Sequence, residues 1–518
     1  MKKIILSKSL IIAILILIVV FFTSIYTILT SEYAVSKNVL LIIIMALLVL
    51  TIIGIIAMVK IDRKKEIKPE KALLFIMIIF CVGLFITIPV GRGHDEFMHW
   101  YKAFEISQGQ LMTPIDQETR TAVTTLPDGV QNIIVEREKA VFKYIDNIPL
   151  LQETINYNET ISAGNQNSAA YCFIQYIPEV IGIIIGQLFT QVPLLIAYFA
   201  RLVNMIVCIA IMYFAVKLIP FGKNIILLLS IIPIAIEGFA TISPDGLTIA
   251  ICTLFISYTL YVAFDKNKMC GTKETVILTI IGAIVSLCKI VYMPLIFLVL
   301  IIPKEKFKTK SERIKSLALI ITIGVMCNLI WLIFGSMALL NTNTNTYSGT
   351  NENGTMLKLM TLLSNPFEYI QKVFYTIGLK GNQYFLSLFG GQLEWGEMIR
   401  IEIIPFVIAA IAIMAAISEE KIKTELHKFQ KIVIAAIILI ITVLIFTSLY
   451  IQWSDNDLLY IDGVQGRYFL PILPLLLFLV GGLKVKSNYS NAQITKLICM
   501  SSIIIQMYTI TAILAEHC

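Results

Sequence analysis

Runs of about twenty consecutive apolar residues recur from one end of the chain to the other, and they decide the fold class. A helix of that length crosses the roughly 30 Å hydrocarbon core of a bilayer. No water in that core can satisfy backbone polar groups, so a spanning segment must satisfy its own. A transmembrane β-barrel would need alternating segments of about ten residues, and the sequence has none. Of the 518 residues, 58% are hydrophobic and 14% charged, with a mean hydropathy of +0.84. Those proportions exclude a soluble enzyme, a secreted disulfide scaffold and a disordered chain. The expected fold is all-α: a polytopic membrane protein with about thirteen transmembrane helices.

The expected spans are Leu10–Leu29, Val39–Val59, Ala72–Val90, Pro193–Val216, Ile225–Ala240, Leu247–Phe264, Val276–Cys288, Ile290–Ile302, Leu317–Phe334, Ile403–Ile417, Ile432–Ile451, Tyr468–Leu483 and Leu497–Leu514. The first run reaches Leu29, too long for a signal core, and reads as an uncleaved span. The net charge of +7 comes from basic residues in short loops between apolar runs, so it reports topology and not nucleic acid. Lys2, Lys3 and Lys8 place the N-terminus in the cytoplasm. Three basic loops then fall on the same side: Lys60 to Lys71, Lys304 to Lys315, and Lys421 to Lys431. The C-terminus falls outside. Phe173–Phe189 is apolar, but counting it as a span would put later lysines outside, and Phe367–Phe389 carries Lys372, Lys380 and Asn382; both are expected to be interfacial or re-entrant helices. Most of the 9 Cys lie inside apolar runs without CxxC spacing, which excludes a disulfide framework or zinc site.

Two long segments remain on the outer side, 91–192 and 335–402. They belong to a core of residues 72–483, flanked by a two-span extension (1–71) and a final span (484–518). No GxxxxGK[ST] or GxGxxG motif occurs, so ATP-driven transport by this chain alone is not expected. Any chemistry is expected at the outer face.

The polar residues that interrupt this pattern are the candidates for function. GRGHDEFMHWYKAFEISQGQL, beginning at Gly91, places adjacent carboxylates Asp95 and Glu96 at a span exit. His99 follows four and three residues later, on the same helical face as either acid. A carboxylate beside His can act as a general base, or Asp95, Glu96 and His99 can hold a divalent cation; a belt of Phe97, Trp100 and Tyr101 at the interface is the simpler alternative. In FATISPDGLTIA, Asp245 either caps a helix after Ser243 and Pro244 or faces the same cavity as Asp95. Lys289, between two short apolar runs, and Arg201, inside a span, are costly at bilayer depth and are candidates for binding a lipid phosphate; snorkelling is the alternative for Lys289. Arg467 opens the twelfth expected span, preceded by Gln465 and Gly466 and followed by Tyr468; its planar fork suits phosphate, or it anchors at the interface. FGGQLEWGEM offers Trp395 either for stacking on a sugar or for the interface.

These residues carry a resemblance. HDEFMHWYKAFEISQG resembles the DE-x-x-H-x-x-x-A motif of the bacterial membrane-protein family called domain of unknown function 2142. SPDGLT at 243–248, K-x-x-Y at Lys289–Tyr292, G-x-L-x-W at Gly391–Trp395 and QGRYFLPILP at 465–474 fit the same family. Gly91 and Gly93 depart from it, standing where prolines are expected. The family is similar in layout to the multi-span C-type glycosyltransferases. That likeness implies a transferase in the bacterial cytoplasmic membrane that moves a sugar from a polyprenyl-phosphate donor to a cell-envelope glycan acceptor. It implies Asp95 as base and Glu96 as its partner or a metal ligand, with His99 and Asp245 in support. It implies Arg201, Lys289 and Arg467 on the donor phosphate, and Gln465, Tyr468 and Trp395 facing substrate. A flippase of lipid-linked glycans or a polysaccharide polymerase is the rival expectation.

Overall fold

The computed structural model describes residues 7–30, 37–133, 148–165, 168–336, 344–346, 349–351, 354–394, 399–400, 403–454, 458–483 and 485–517. The chain opens with α1 (Lys8–Thr30), α2 (Lys37–Arg63) and α3 (Pro69–Thr87), followed by α4 (Glu96–Ser107) and α5 (Ile177–Gln187) in the first long segment. Then come α6 (Pro193–Leu218), α7 (Lys223–Leu228), α8 (Pro233–Ala240), α9 (Pro244–Phe264), α10 (Thr272–Cys288) and α11 (Lys310–Trp331). The second long segment carries α12 (Gly354–Ser364) and α13 (Pro366–Leu388). The chain closes with α14 (Ile404–Ile417), α15 (Glu420–Glu425), α16 (Lys428–Gln452), α17 (Leu473–Gly481) and α18 (Asn491–His517).

Among the described residues, eight helices are long and apolar enough to cross a membrane: α1, α2, α3, α6, α9, α11, α16 and α18. A ninth is counted only if Lys223–Ile231 and α8 form one span, and these two meet at 72°. The expectation is about thirteen spans; eight, or nine with the bent pair, meet the length and composition a crossing helix needs. The other four expected spans are the 17-residue α10, the 3-10 helix Ile290–Ile301, α14, and Gly466–Gly481. The difference lies in the backbone. Proline removes an N–H and clashes with the preceding turn. Pro233 starts α8 after the bend, Pro294 sits inside Ile290–Ile301, and Pro471 sits inside the 3-10 turn Gly466–Ile472 that leads into α17. Hydropathy reads through such breaks.

The broken segments gather around α9, whose apolar window is 83% buried. It packs against α6, α8, α10 and the two 3-10 helices. Irregular backbone is tolerated at membrane depth where it is enclosed by protein. α1 and α2 stand apart, packing on α18 through Leu10, Leu17, Leu47, Met58, Met500 and Met507. Their outward faces, with Leu15, Phe22, Leu41 and Ile42, are exposed, as lipid-facing helices require.

The all-α expectation needs one amendment. Three two-stranded antiparallel pairs occur: β1 (Val123–Asp128) with β2 (Asn156–Gly164), β3 (Thr344–Thr346) with β4 (Gly349–Asn351), and β5 (Gln392–Leu393) with β6 (Ile399–Arg400). In the first pair Leu126 faces Ile161 across the strands. Leu126 also joins Trp100, Phe104, Ile155 and Tyr176 in a hydrophobic core belonging to the first long segment. Trp100 is fully buried and donates to the Val130 carbonyl at 2.8 Å, and Tyr101 is buried beside it. Neither is an interfacial belt residue.

Candidate functional site

The adjacent acids Asp95 and Glu96 do different work. Asp95 has φ of 55°, a left-handed conformation that Asp tolerates better than most residues, and it precedes the first turn of α4. The turn sends Glu96 inward. Its carboxylate is fully buried and accepts from Arg201 Nε and Nη2, each at 2.6 Å. It also accepts the backbone N–H groups of Gly91 (2.8 Å), Gly93 (3.1 Å) and Ile242 (2.9 Å). Arg201 gives two further donors to the carbonyls of Ile88 and Pro89, at 2.7 and 2.9 Å. This knot ties the exit of α3 to α6 and to the turn before α9. It also explains the glycines: proline at 91 or 93 would remove an N–H that Glu96 needs, and Gly91 has φ of 86°.

Asp95 faces the other way, with its side chain 43% exposed. Its Oδ2 accepts from Arg467 Nη2 at 2.7 Å, while Arg467 Nε lies 3.4 Å from Asp245 Oδ2. Asp245 Oδ1 in turn takes a 2.5 Å bond from Lys289 Nζ. Two carboxylates and two cations thus alternate in a row: Asp95, Arg467, Asp245, Lys289. Four helix ends supply them. Ser243 Oγ caps α9 by accepting the Asp245 N–H at 3.3 Å, so the capping task falls to Ser243 and the Asp245 carboxylate is left for the cations. Lys289 is held where α10 stops and the 3-10 helix begins. Arg467 is held in the 3-10 turn before α17.

Aromatic rings line the cations. Lys289 Nζ lies 5.2 Å from the Tyr171 ring centre and 5.0 Å from that of Tyr468, and the Arg467 guanidinium is 5.4 Å from Tyr468. Tyr292 donates to the Tyr468 carbonyl at 2.7 Å. His99 Nδ1 is 2.8 Å from the Tyr176 hydroxyl. Burial pushes the His99 imidazole down to about 4, against the pull of Asp95 and Asp245, so the ring is neutral at pH 7. At Asp95 burial favours the neutral acid, but the charge and hydrogen bond of Arg467, together with the nearby His99 and His94, hold the carboxyl below its usual range. A small open cleft beside Asp245 and Arg467 is also lined by His94, Glu237, Thr241 and Ser243.

The structure therefore brings together Asp95, Asp245, Lys289, Arg467 and Tyr468, with His99 on the adjoining face of α4. Gln465 adjoins them, its Oε1 buried and without a hydrogen-bond partner. Trp395 lies outside the described residues. Two expectations change. Arg201 is not available to a donor phosphate, because its guanidinium is enclosed by Glu96 and two carbonyls. Glu96 is not available as catalytic partner or metal ligand, because both its oxygens are occupied. The expected divalent-cation set of Asp95, Glu96 and His99 fails the fit for the same reason: Glu96 turns inward, away from Asp95, with both oxygens taken. Among the described residues no group of three His, Cys, Asp or Glu side chains is arranged to hold a metal ion.

Sequence reading passed over two neighbours. Glu237 lies in the apolar stretch PIAIEGFA, where an ionisable residue at membrane depth is itself a functional signal. It accepts from His94, whose Nδ1 is 2.7 Å away. The other oversight is His517, which pairs with Glu394 at 2.8 Å with both side chains fully buried.

Fold and site together define a polytopic helical membrane protein that carries a charge-balanced polar cluster among broken helices at one end of its bundle. A family model described as "Predicted membrane protein (DUF2142)" matches residues 74–476, and the chain belongs to that family. Neither a curated protein nor a solved structure matches it.

Proposed function

We propose that the protein is a glycosyltransferase of a bacterial cytoplasmic membrane, working at the outer face on a polyprenyl-phosphate-linked sugar and a cell-envelope glycan. The loop lysines orient the chain with the N-terminus in the cytoplasm, which puts Asp95, Asp245, Lys289 and Arg467 outside. Glycosyl transfer from a phosphate carrier needs cations for the leaving phosphate and a group that engages the acceptor hydroxyl. The observation that carries the reading is the half-exposed Asp95 carboxylate, kept ionised beside Arg467, whose Nε has no hydrogen-bond partner. In this scheme Asp95 meets the acceptor, Lys289 and Arg467 meet the phosphate, and Tyr468 and Gln465 border the sugar. Polymer extension from a lipid-linked donor would use the same parts.

The test is envelope-glycan composition in a deletion strain complemented by wild type or by Asp95→Asn. Restoration of a missing sugar by wild type alone, with both proteins at equal membrane levels, is the expected result. Equal restoration by both removes Asp95 from the chemistry. The second reading is transport of lipid-linked glycans, favoured by the broken helices around the site, a device of transporters. It predicts that the deletion strain accumulates a complete lipid-linked glycan on the inner leaflet.

A further inference from the structure

The cleft beside Asp245 and Arg467 has a feature that the scheme above leaves idle. Glu237 is the charged residue of α8, and its side chain is 2% exposed. Its Oε1 accepts the His94 backbone N–H at 3.0 Å and faces His94 Nδ1 at 2.7 Å, while Oε2 accepts the Glu394 N–H at 3.2 Å. Backbone N–H groups only donate, so this carboxylate acts as an acceptor on both oxygens. His94 Nδ1 must then carry the hydrogen. In the neutral ring that leaves the lone pair on Nε2, at the opposite edge, and the ring lines the cleft at 15% side-chain exposure.

A buried carboxylate fixing the tautomer of an imidazole that borders a cleft is the arrangement that makes histidine a directed base. The support behind it is rigid. Glu394, which donates to Glu237, has φ of 65°, and its own carboxylate is clasped by His517 at the end of α18. Asp95 is the poorer proton acceptor of the two, since one of its oxygens is bonded to a guanidinium and the pair favours the ionised form.

We infer that His94, oriented by Glu237, accepts the proton of the acceptor hydroxyl, an assignment that rests on the transferase reading. The hydroxyl oxygen attacks the anomeric carbon and a new C–O bond forms. The bond from that carbon to the phosphate oxygen breaks, and its electron pair leaves with the phosphate toward Lys289 and Arg467. The O–H bond of the acceptor breaks, and its proton passes to His94 Nε2. Asp95 orients the hydroxyl and holds Arg467 in place. The charged groups facing His94 are Glu237 from α8, Asp95 beside it, Asp245 from α9 and Arg467 from the 3-10 turn.

The test uses the full-length chain in the deletion strain, with wild type, His94→Ala and His94→Gln at matched membrane levels. The readout is the rate at which labelled sugar enters the envelope glycan, with and without free imidazole in the medium. Both variants should be slowed by about 100-fold or more, the usual contribution of a general base. Imidazole should speed His94→Ala, which leaves room for it, and not His94→Gln, which fills the space. A wild-type rate in His94→Ala overturns the assignment, and so does a slow His94→Ala that imidazole leaves slow. Wild type that restores no glycan is a separate outcome: it sinks the transferase reading itself, and the role of His94 with it.

Discussion

Replacing Glu96 by Gln should unfold the site from within, and the size of the effect follows from five donors. Two guanidinium N–H groups and the backbone N–H groups of Gly91, Gly93 and Ile242 all point at two carboxylate oxygens. A glutamine must put its NH2 where one oxygen was. Placed at Oε1, it confronts the Arg201 Nε and Ile242 donors; placed at Oε2, it confronts Arg201 Nη2, Gly91 and Gly93. At least two buried donors lose their acceptor, at about 1–3 kcal/mol each. Arg201 also keeps its charge in a fully buried position without a counter-ion, and breaking such a pair costs about 3–5 kcal/mol. The two routes describe the same loss and agree on roughly 3–5 kcal/mol. Purified protein in detergent, heated in steps and passed over a sizing column, should lose its monodisperse peak about 3–5 °C below wild type. Asp95→Asn, at a half-exposed position and with Arg467 still facing Asp245, should melt closer to wild type than Glu96→Gln does. If Glu96→Gln melts with wild type and yet is inactive, Glu96 works in the chemistry and the assignment to Arg201 is wrong.

Two further outcomes are expected. A methyl at Gly466 would collide with the Tyr384 carbonyl and the Leu388 N of α13, backbone atoms that cannot yield locally. Gly466→Ala should displace Arg467, slow transfer and lower stability by about 1–3 kcal/mol; wild-type rate and melting together would refute this packing. The His99 imidazole falls from 6.5 to about 4 on folding, so between those values the unfolded chain binds a proton that the folded one refuses. Its contribution is complete above about pH 6.5 and is lost as the pH falls toward 4, by up to about 3 kcal/mol. Thermal stability should drop less steeply over that interval in His99→Gln than in wild type, and equal slopes would count against a neutral, buried His99.

The membrane class and most helices were legible in the apolar runs, because the need to satisfy every backbone group in lipid acts on any stretch of about twenty apolar residues. The breaks were not, since Pro233, Pro294 and Pro471 change the backbone while leaving hydropathy high. The polar cluster was partly legible. Asp95, Asp245, Lys289, Arg467 and Tyr468 stood out because charge or amphipathic polarity near a span boundary is costly. What the linear order concealed was partnership. Asp95 and Glu96 look alike as neighbours, and a left-handed turn of one residue separates an accessible acid from a buried one. Arg201 reads as a free cation until the chain brings Glu96 to it from 105 positions away. Glu237 meets His94 across 143 positions, and no local spacing signals that meeting.

The row Asp95, Arg467, Asp245, Lys289 sums to zero charge, and that sets how a ligand of the kind proposed must arrive. Opposite charges a few ångströms apart cancel beyond the roughly 8 Å over which ions are felt in physiological salt. Such a place cannot gather anions from solution as a uniformly basic cleft does. Recognition begins at touch, with an incoming phosphate exchanging places with a carboxylate already seated on the cations. A carrier dissolved in the bilayer needs no long-range guidance, because confinement to a plane has already removed one dimension from its search. Electroneutrality thus suits the cluster to a guest that approaches sideways through lipid, and makes it indifferent to the phosphates dissolved in the water above.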